Sequence, residues 1–371
     1  MPRGPASPVR GSFLRRAGGY CWIVPEFHPL ERDADEISRA AVERLYTLRP
    51  QLVEFYGPKG KARCVEDMAH HVRHLAIALW AGEPELFADY AAWATRVMTA
   101  YGVETTHIRA SLEALNEIVR TRLDELDADA AGACIGAAIA LGPGEEPACE
   151  ITDAGPHARL AREYLDALLI GSRESAASKL KAAVAQGVPL LEVYVHVLLP
   201  VQREVGRLWQ KRAITVAQEH FCTHTTQQLM SHLAIDLLYV ARPTLDLRAI
   251  VFCPGGERHS LGCSAFADLL EARGWSVRCL GADTPVRTVA EEAAAFRPHL
   301  LALSVCTVYG VRAATEAVES CRGLLPRLRV IAGGRMITGY PGLAGRLGAD
   351  MSAADLAEGL ELVQEQVRPF Q

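Results

Sequence analysis

Three short pieces of this chain carry side chains suited to a metal-centred ligand, and they stand at fixed distances. The first is Glu257-Arg258-His259-Ser260-Leu261-Gly262. Forty-one residues separate Gly262 from Ser304, which opens Ser304-Val305-Cys306, and 28 more separate Ser304 from the pair Gly333-Gly334. A neutral imidazole is a good ligand for a late first-row metal ion when its other nitrogen is held by an acceptor. Glu257, two residues before His259, is the candidate for that orienting role. Gly262 leaves room for a long ligand near a helix start. Ser304 offers a hydroxyl, and Gly333-Gly334 removes two side chains where a bulky ligand can lie against backbone. Taken singly, the histidine reads as a loop residue and the glycines as turns. The joint spacing argues otherwise.

An alternating α/β pattern must position these residues. After Arg242-Pro243 the sequence predicts strands over Leu247–Cys253, Trp275–Leu280, Leu300–Val305, Leu328–Ala332 and Met351–Ala353. Helices are expected over Leu261–Arg273, Arg287–Phe296, Arg312–Leu324, Leu343–Leu347 and Leu356–Val367. Such alternation makes parallel β-α-β units, and a doubly wound sheet presents ligands at the carboxyl ends of its strands. His259 then falls in the loop after the first strand, and Ser304 and Gly333-Gly334 close the third and fourth.

Two helical blocks precede this domain. Apolar spacing predicts helices from about Asp33 to Leu126, including Ala62–Trp80, Glu83–Ala100 and Thr105–Leu123. A second set, Ala158–Leu168, Arg173–Gln186, Pro189–Gln210 and Val216–Leu238, has short connections and reads as a four-helix bundle. The expected organisation is an arm over 1–32, a helical sensor-like domain over 33–126, and a linker over 127–156 with room for one short apolar helix. A helical cap over 157–242 and a Rossmann-like domain over 243–371 complete it. The fold class is multidomain α plus α/β.

The chain has 371 residues and a formal net charge of -5, which gives no support to nucleic-acid binding. Its ten cysteines form no C-x-x-C pair, so neither a zinc site nor a disulfide framework is indicated. Arg3, Arg10, Arg15 and Arg16 have no apolar run behind them, which reads as a mobile arm rather than a signal peptide. No stretch approaches the about 18 apolar residues needed to span a bilayer. A cytoplasmic protein without membrane or nucleic-acid partners is expected.

Together, Glu257-x-His259-x-x-Gly262, Ser304 and Gly333-Gly334 resemble the cobalamin-binding domain of methionine synthase, cobalamin-dependent mutases and their relatives. The resemblance covers roughly residues 246–371. It implies that His259 displaces the cofactor's own benzimidazole from cobalt, with the nucleotide tail alongside Gly262, Ser304 and Gly333-Gly334. Glu257 stands where Asp is usual and Cys306 where Leu is common. The segment VGRLWQKRAITVAQEH, which holds Trp209 and then Glu219-His220, resembles the helical cap of light-sensing adenosylcobalamin proteins of the CarH type. That resemblance implies that Trp209 packs against the adenosyl group while Glu219 and His220 border the same pocket. Read from the residues alone, Trp209 is a core aromatic, and adjacent residues of a helix point about 100° apart. In the CarH type a histidine that ligates cobalt after illumination follows the Trp. Here Gln210 stands in that place, which leaves His220 or His224 as substitutes.

No helix-turn-helix unit is read in residues 1–150. That block contains Tyr20, Trp22, Phe27, Trp80, Phe87, Tyr90, Trp93 and Tyr101, with His70, His71 and His74 on one helix. His70 and His74 share a helix face, suited to a metal or an anion. A helical dimerisation domain is the plainer reading. The whole ensemble resembles photocobilins, which implies a bilin such as biliverdin as a second chromophore.

The function expected is a non-enzymatic photoreceptor. It binds adenosylcobalamin, and light-driven Co–C cleavage changes its conformation and homo-oligomeric state. The alternatives are a corrinoid carrier of a methyltransferase system, which needs an exposed upper face, and a helical scaffold without cobalamin.

Overall fold

The computed structural model describes residues 12–17, 20–25, 27–152, 154–238 and 245–368. Part of the segment expected to be a mobile arm is an antiparallel pair, β1 (Ser12–Ala17) and β2 (Tyr20–Pro25). The run Tyr20-Cys21-Trp22-Ile23-Val24 is aromatic and β-branched and follows Gly18-Gly19, a strand and turn signal that the arginine count had obscured. A single turn, α1 (Pro29–Arg32), leads into the helical block.

That block comprises α2 (Ala34–Leu48), α3 (Leu52–Ala81), α4 (Pro84–Ala100), α5 (Thr105–Arg120) and α6 (Glu125–Leu141). Helix α3 bends at Gly57, whose φ of 64° lies in the left-handed region, just before Pro58. Helix α6 corrects the linker expected over 127–156. Its Ala-rich sequence has apolar residues on all sides, so no amphipathic stripe announces it. The Asp124 carboxylate caps it by accepting from the Asp127 N–H at 3.0 Å, and Ala131, Cys134, Ile135 and Ala138 are buried as it packs on α4 and α5.

The bundle follows as α7 (Ala158–Leu169), α8 (Arg173–Ala185), α9 (Leu190–Val193), α10 (Leu199–Gln210) and α11 (Val216–Leu238). A π-helical turn over Tyr194–Leu198 joins α9 to α10. Pro200 has no N–H to give the carbonyl four residues back, and the helix accommodates this by widening there.

The C-terminal elements are β3 (Arg248–Pro254), α12 (Leu261–Ala272), β4 (Ser276–Thr284), α13 (Val286–Phe296) and β5 (Leu300–Ser304). Then come α14 (Val311–Leu324), β6 (Arg329–Gly333), α15 (Arg335–Gly339), α16 (Pro341–Arg346), β7 (Met351–Ser352) and α17 (Leu356–Gln366). The sheet is parallel in the order β4-β3-β5-β6-β7. Strand order reverses between β3 and β5, which opens a crevice beyond their carboxyl ends. The loops carrying His259 and Ser304 both leave the sheet there.

Side-chain alternation divides the sheet between two cores. Val251 and Cys253 face α12, α17 and the bundle, whereas Ile250 and Phe252 face α13 and α14 in a core continuous with the N-terminal helices. The sheet therefore packs the bundle on one face and the N-terminal block on the other, and Arg212, just after the bundle's α10, also meets Ala100 and Tyr101 of the block directly. Arg312 of α14 pairs with Glu31 at 2.5 Å and lies 4.2 Å from the Phe27 ring centroid, and the Tyr340 hydroxyl donates to Asp89 at 2.9 Å.

Candidate functional site

Glu257 is fully buried and spends both carboxylate oxygens on the loops around it. Oε1 accepts from the His259 backbone N–H at 2.9 Å and faces His259 Nδ1 at 2.6 Å. Oε2 accepts from the N–H groups of Cys306 and Thr307, both at 2.8 Å, and from the Thr307 hydroxyl at 3.1 Å. Burial pushes its carboxyl pKa upward, but the bonds from the His259 imidazole and these N–H groups outweigh it and hold the group below the usual carboxylate range. The same bond raises the His259 pKa against its burial. While the carboxylate is 0% exposed, the imidazole is 67% exposed. With the proton fixed on Nδ1, the Nε2 lone pair is directed outward, the arrangement a metal ligand requires. The longer Glu thus does what the shorter Asp would have done.

The other expected residues separate into different roles. Gly262 opens α12 and Gly333 ends β6, and a Cβ at either meets no atom within 4 Å. Gly334 is different. Its φ is 95°, and a Cβ there would lie 2.6 Å from the Val305 carbonyl oxygen and 2.7 Å from its nitrogen. Backbone packing of the β6–α15 turn on the end of β5 demands this glycine, not open space for a ligand. Ser304 pairs in register with Gly333, and its hydroxyl lies 3.8 Å from the Cys306 thiol, a weak contact. Cys306 contributes chiefly its backbone N–H to Glu257. Two contributors escaped the sequence reading. Thr307 completes the Glu257 cradle, and the Asp283 carboxylate accepts from the Gly256 N–H at 2.7 Å. Thr307 lies in the loop after β5 and Asp283 near the end of β4, both at no diagnostic spacing.

On the bundle, Trp209 is half-buried, and its indole Nε1 is buried without a hydrogen-bond partner among the described residues. Glu219 is 26% exposed. It accepts from the Thr223 hydroxyl at 2.8 Å and contacts His220 Nδ1 at 2.5 Å. Its charge reaches His259 and raises that pKa, while Arg335 of α15 acts in the opposite sense. His220 turns outward, 75% exposed, as adjacency on a helix requires. His224 instead bonds Gln228 at 3.0 Å.

The N-terminal histidines meet the same region from the other side. His74 stacks on Tyr90 with ring centroids 3.4 Å apart, and His71 Nδ1 bonds the Tyr90 hydroxyl at 2.9 Å. The His74 Nδ1 faces the His70 carbonyl at 2.7 Å, and His70 bonds the hydroxyl of Tyr309. Tyr309 stands two residues after Thr307, and its carbonyl oxygen would lie 2.8 Å from a Cβ on Gly256. Burial pushes His71 down to about 4 and His74 to about 3, so both rings are neutral. No group of three His, Cys, Asp or Glu among the described residues forms a metal site. Phe27 and Trp80 stack apart from this cluster, at 4.7 Å. Tyr101 lies under Arg212, 4.7 Å from the guanidinium. The side chains of Tyr20 and Trp22 lie outside the described residues.

Residues 160–234 and 247–361 each match a family model described as "B12 binding domain", and residues 25–167 match the model "Phycobilisome protein". The chain is 28% identical over 196 residues to the HTH-type transcriptional repressor CarH of Myxococcus xanthus, covering 53% of this chain and 64% of that one. It is 29% identical over 188 residues to the HTH-type transcriptional repressor CarA of the same organism, covering 50% and 62%. The chain thus spans just under two thirds of the length of these curated relatives. It is also similar to the solved Methanosarcina barkeri monomethylamine corrinoid protein, with a TM-score of 0.50 at 22% identity, covering 57% of this chain and 99% of that chain. The bundle-plus-sheet fold is shared with that protein. The matches over residues 160–234 and 247–361 support cobalamin as a cofactor of this chain.

Proposed function

We propose that the protein is a light sensor that binds adenosylcobalamin with His259 as the protein ligand to cobalt. The observation that carries this reading is the buried indole N–H of Trp209, unpartnered among the described residues, on a bundle whose Glu219 charge acts on His259. An orphaned donor there fits a large polar-edged ligand between bundle and sheet, as do the open spaces beside Gly262 and Gly333. When bound, adenosylcobalamin supplies the photochemistry, since light breaks its cobalt–carbon bond.

The chain's own residues do the rest. Glu257 holds the proton on His259 Nδ1 and keeps Nε2 available. Trp209 covers the ligand's outer face and excludes water. Loss of its packing partner biases the bundle toward a second position against the sheet, with a change in homo-oligomeric state as the output. The protein acts through conformation rather than catalysis, in the cytoplasm, without nucleic acid or membrane as partner. Similarity to two transcriptional repressors supports the sensor reading, and no helix among the described residues is long and apolar enough to cross a membrane.

The N-terminal block takes a bilin such as biliverdin in this reading. The phycobilisome match and the cluster of His70, neutral His71 and His74, and Tyr90 beside Tyr309 support it.

Reconstitution in the dark with adenosylcobalamin and biliverdin, followed by green light, tests both parts. A cobalamin spectrum and elution volume unchanged by light refute the sensor. Absence of a far-red band refutes the bilin. A light-stable protein that accepts and releases a methyl group would instead be a corrinoid carrier, the reading that the fold shared with the monomethylamine corrinoid protein favours.

A further inference from the structure

A cleft of about 290 Å³ lies between α11, the last helix of the bundle, and α12 and β4 of the sheet domain. Its lining includes Gln227, Met230 and Ser231 on α11 and Leu261, Ser264 and Asp268 on α12. None of these six belongs to the groups placed around Glu257 and His259. Asp268 is half-buried at this seam, and its Oδ2 accepts from the Tyr194 hydroxyl at 2.7 Å. Tyr194 is fully buried on the π-helical turn, so one carboxylate oxygen ties the bundle to the sheet domain. Burial pushes the Asp268 carboxyl up to about 6, and only the Tyr194 bond opposes it. No cation among the described residues shares in holding its charge.

We propose that this cleft binds a small free primary amine in its protonated form, with Asp268 as the counter-ion. A carboxylate taken partly out of water without a counter-charge is costly, and a bound cation offsets that cost. The neighbouring polar groups are placed to receive hydrogens. The Ser231 hydroxyl donates to the Gln227 backbone carbonyl at 3.0 Å, which leaves its lone pairs to accept. The Gln227 side-chain carbonyl is a further acceptor, and the Tyr194 hydrogen is already committed to Asp268. An alkylammonium carries three N–H donors and no acceptor, which matches such a lining. Met230 and Leu261 supply apolar surface for a short run of methylene groups. A hard divalent cation needs several oxygen ligands with more negative charge, and this lining holds one carboxylate.

A bound amine adds a second link between α11 and α12, beside the Tyr194–Asp268 bond. The groups facing Asp268 set the pH response of the site. Tyr194 approaches from the bundle, Glu271 follows one turn later on α12, and Cys279 lies on β4, where the Asp268 charge reaches it. None of the three is cationic, so the carboxylate itself governs. Its affinity for the amine should fall about tenfold from pH 8 to pH 5, as Asp268 takes up a proton while the amine stays charged.

The full-length protein is titrated at pH 8 with butylamine, followed by saturation-transfer NMR, with butanol as the uncharged control. Saturable butylamine binding is expected, half-complete on the order of 1 mM for a ligand of this size, with butanol about tenfold weaker or more. Asp268→Asn keeps an acceptor for Tyr194 and should weaken butylamine binding by about 10- to 100-fold, the range for a hydrogen bond to a charged group. Because Asp268 also holds the seam, Gln227→Leu at the exposed mouth is the second variant. It should cost about 2- to 10-fold, as for a neutral hydrogen bond. Absence of saturable binding, equal binding of butanol, or unchanged affinity in a folded Asp268→Asn protein overturns the proposal. A lysine tripeptide with blocked ends that binds more tightly than butylamine would assign the cleft to a protein side chain and overturn the free-amine reading.

Discussion

The molecule holds histidines in two contrasting settings on opposite sides of one loop. His259 has a buried carboxylate on Nδ1, a raised pKa and an exposed ring. His71 and His74 have a phenol, a carbonyl and a stacked ring for neighbours, and burial drives both well below the ordinary imidazole range. Electrostatics separates the two. A carboxylate makes its histidine more basic and fixes its tautomer, which suits a metal ligand. Neutral partners leave the buried rings uncharged, which suits packing against an apolar conjugated ligand. Tyr309 joins the settings, since its loop helps to cradle Glu257 while its hydroxyl meets His70.

The largest break in this contrast is His259→Ala. Hydroxocobalamin affinity should fall by more than about a hundredfold, the upper range for losing a ligand's supporting partner. Tight binding with an unchanged histidine-ligated spectrum would remove His259 as ligand. Glu257→Gln is expected to cost about 10- to 100-fold by titration, because the imidazole loses its anionic partner.

The glycines offer an intermediate test. Gly334→Ala forces a side chain into the Val305 backbone and should destabilise the fold by about 1–3 kcal/mol in thermal melts. Gly262→Ala meets no protein atom, so its melting temperature should hold while cobalamin affinity falls. An equal loss of stability in both would erase the distinction drawn between them.

Acid should divide the two histidine settings by sign. His71 is neutral when folded, with a pKa lowered from 6.5 to about 4. The stability it contributes is present above the unfolded pKa and is lost as pH falls from 6.5 toward 4, by about 1.4 kcal/mol per unit. The His259 pKa is raised, so its contribution is full below 6.5 and fades as pH rises through the folded value. His71→Phe should flatten the acid limb of a urea-denaturation series, whereas His259→Ala should leave that limb in place. The smallest effect is expected for Tyr309→Phe. It removes one hydrogen bond, about 0.5–1.5 kcal/mol, and should spare hydroxocobalamin binding. Under the two-chromophore reading, the biliverdin band should then no longer shift when cobalamin is added.

Much of the C-terminal half was legible because its signals are local. Strand and helix bounds fell within a few residues of expectation, and Glu257 proved long enough to hold His259. Helix α6 was not legible, because alanine and glycine produce no stripe, and its burial depends on α4 and α5. The β1–β2 pair was hidden behind an arginine count. His220 was grouped with Glu219 by adjacency, but the 100° between neighbours turned it outward.

By itself, the sequence determined the alternation of helices and strands in the C-terminal half, the loop histidine with its carboxylate two residues away, and the spacing of Gly262, Ser304 and Gly333. These follow from periodicity and from contacts within one turn of chain. Only the tertiary structure decided that Gly334 serves the Val305 backbone and that Cys306 and Thr307 close the Glu257 cradle. It also brought Tyr309 to His70 across 239 positions of sequence. The reason is physical. Contacts between distant segments depend on how the two faces of the sheet are packed, and no local spacing encodes which loop will meet which helix.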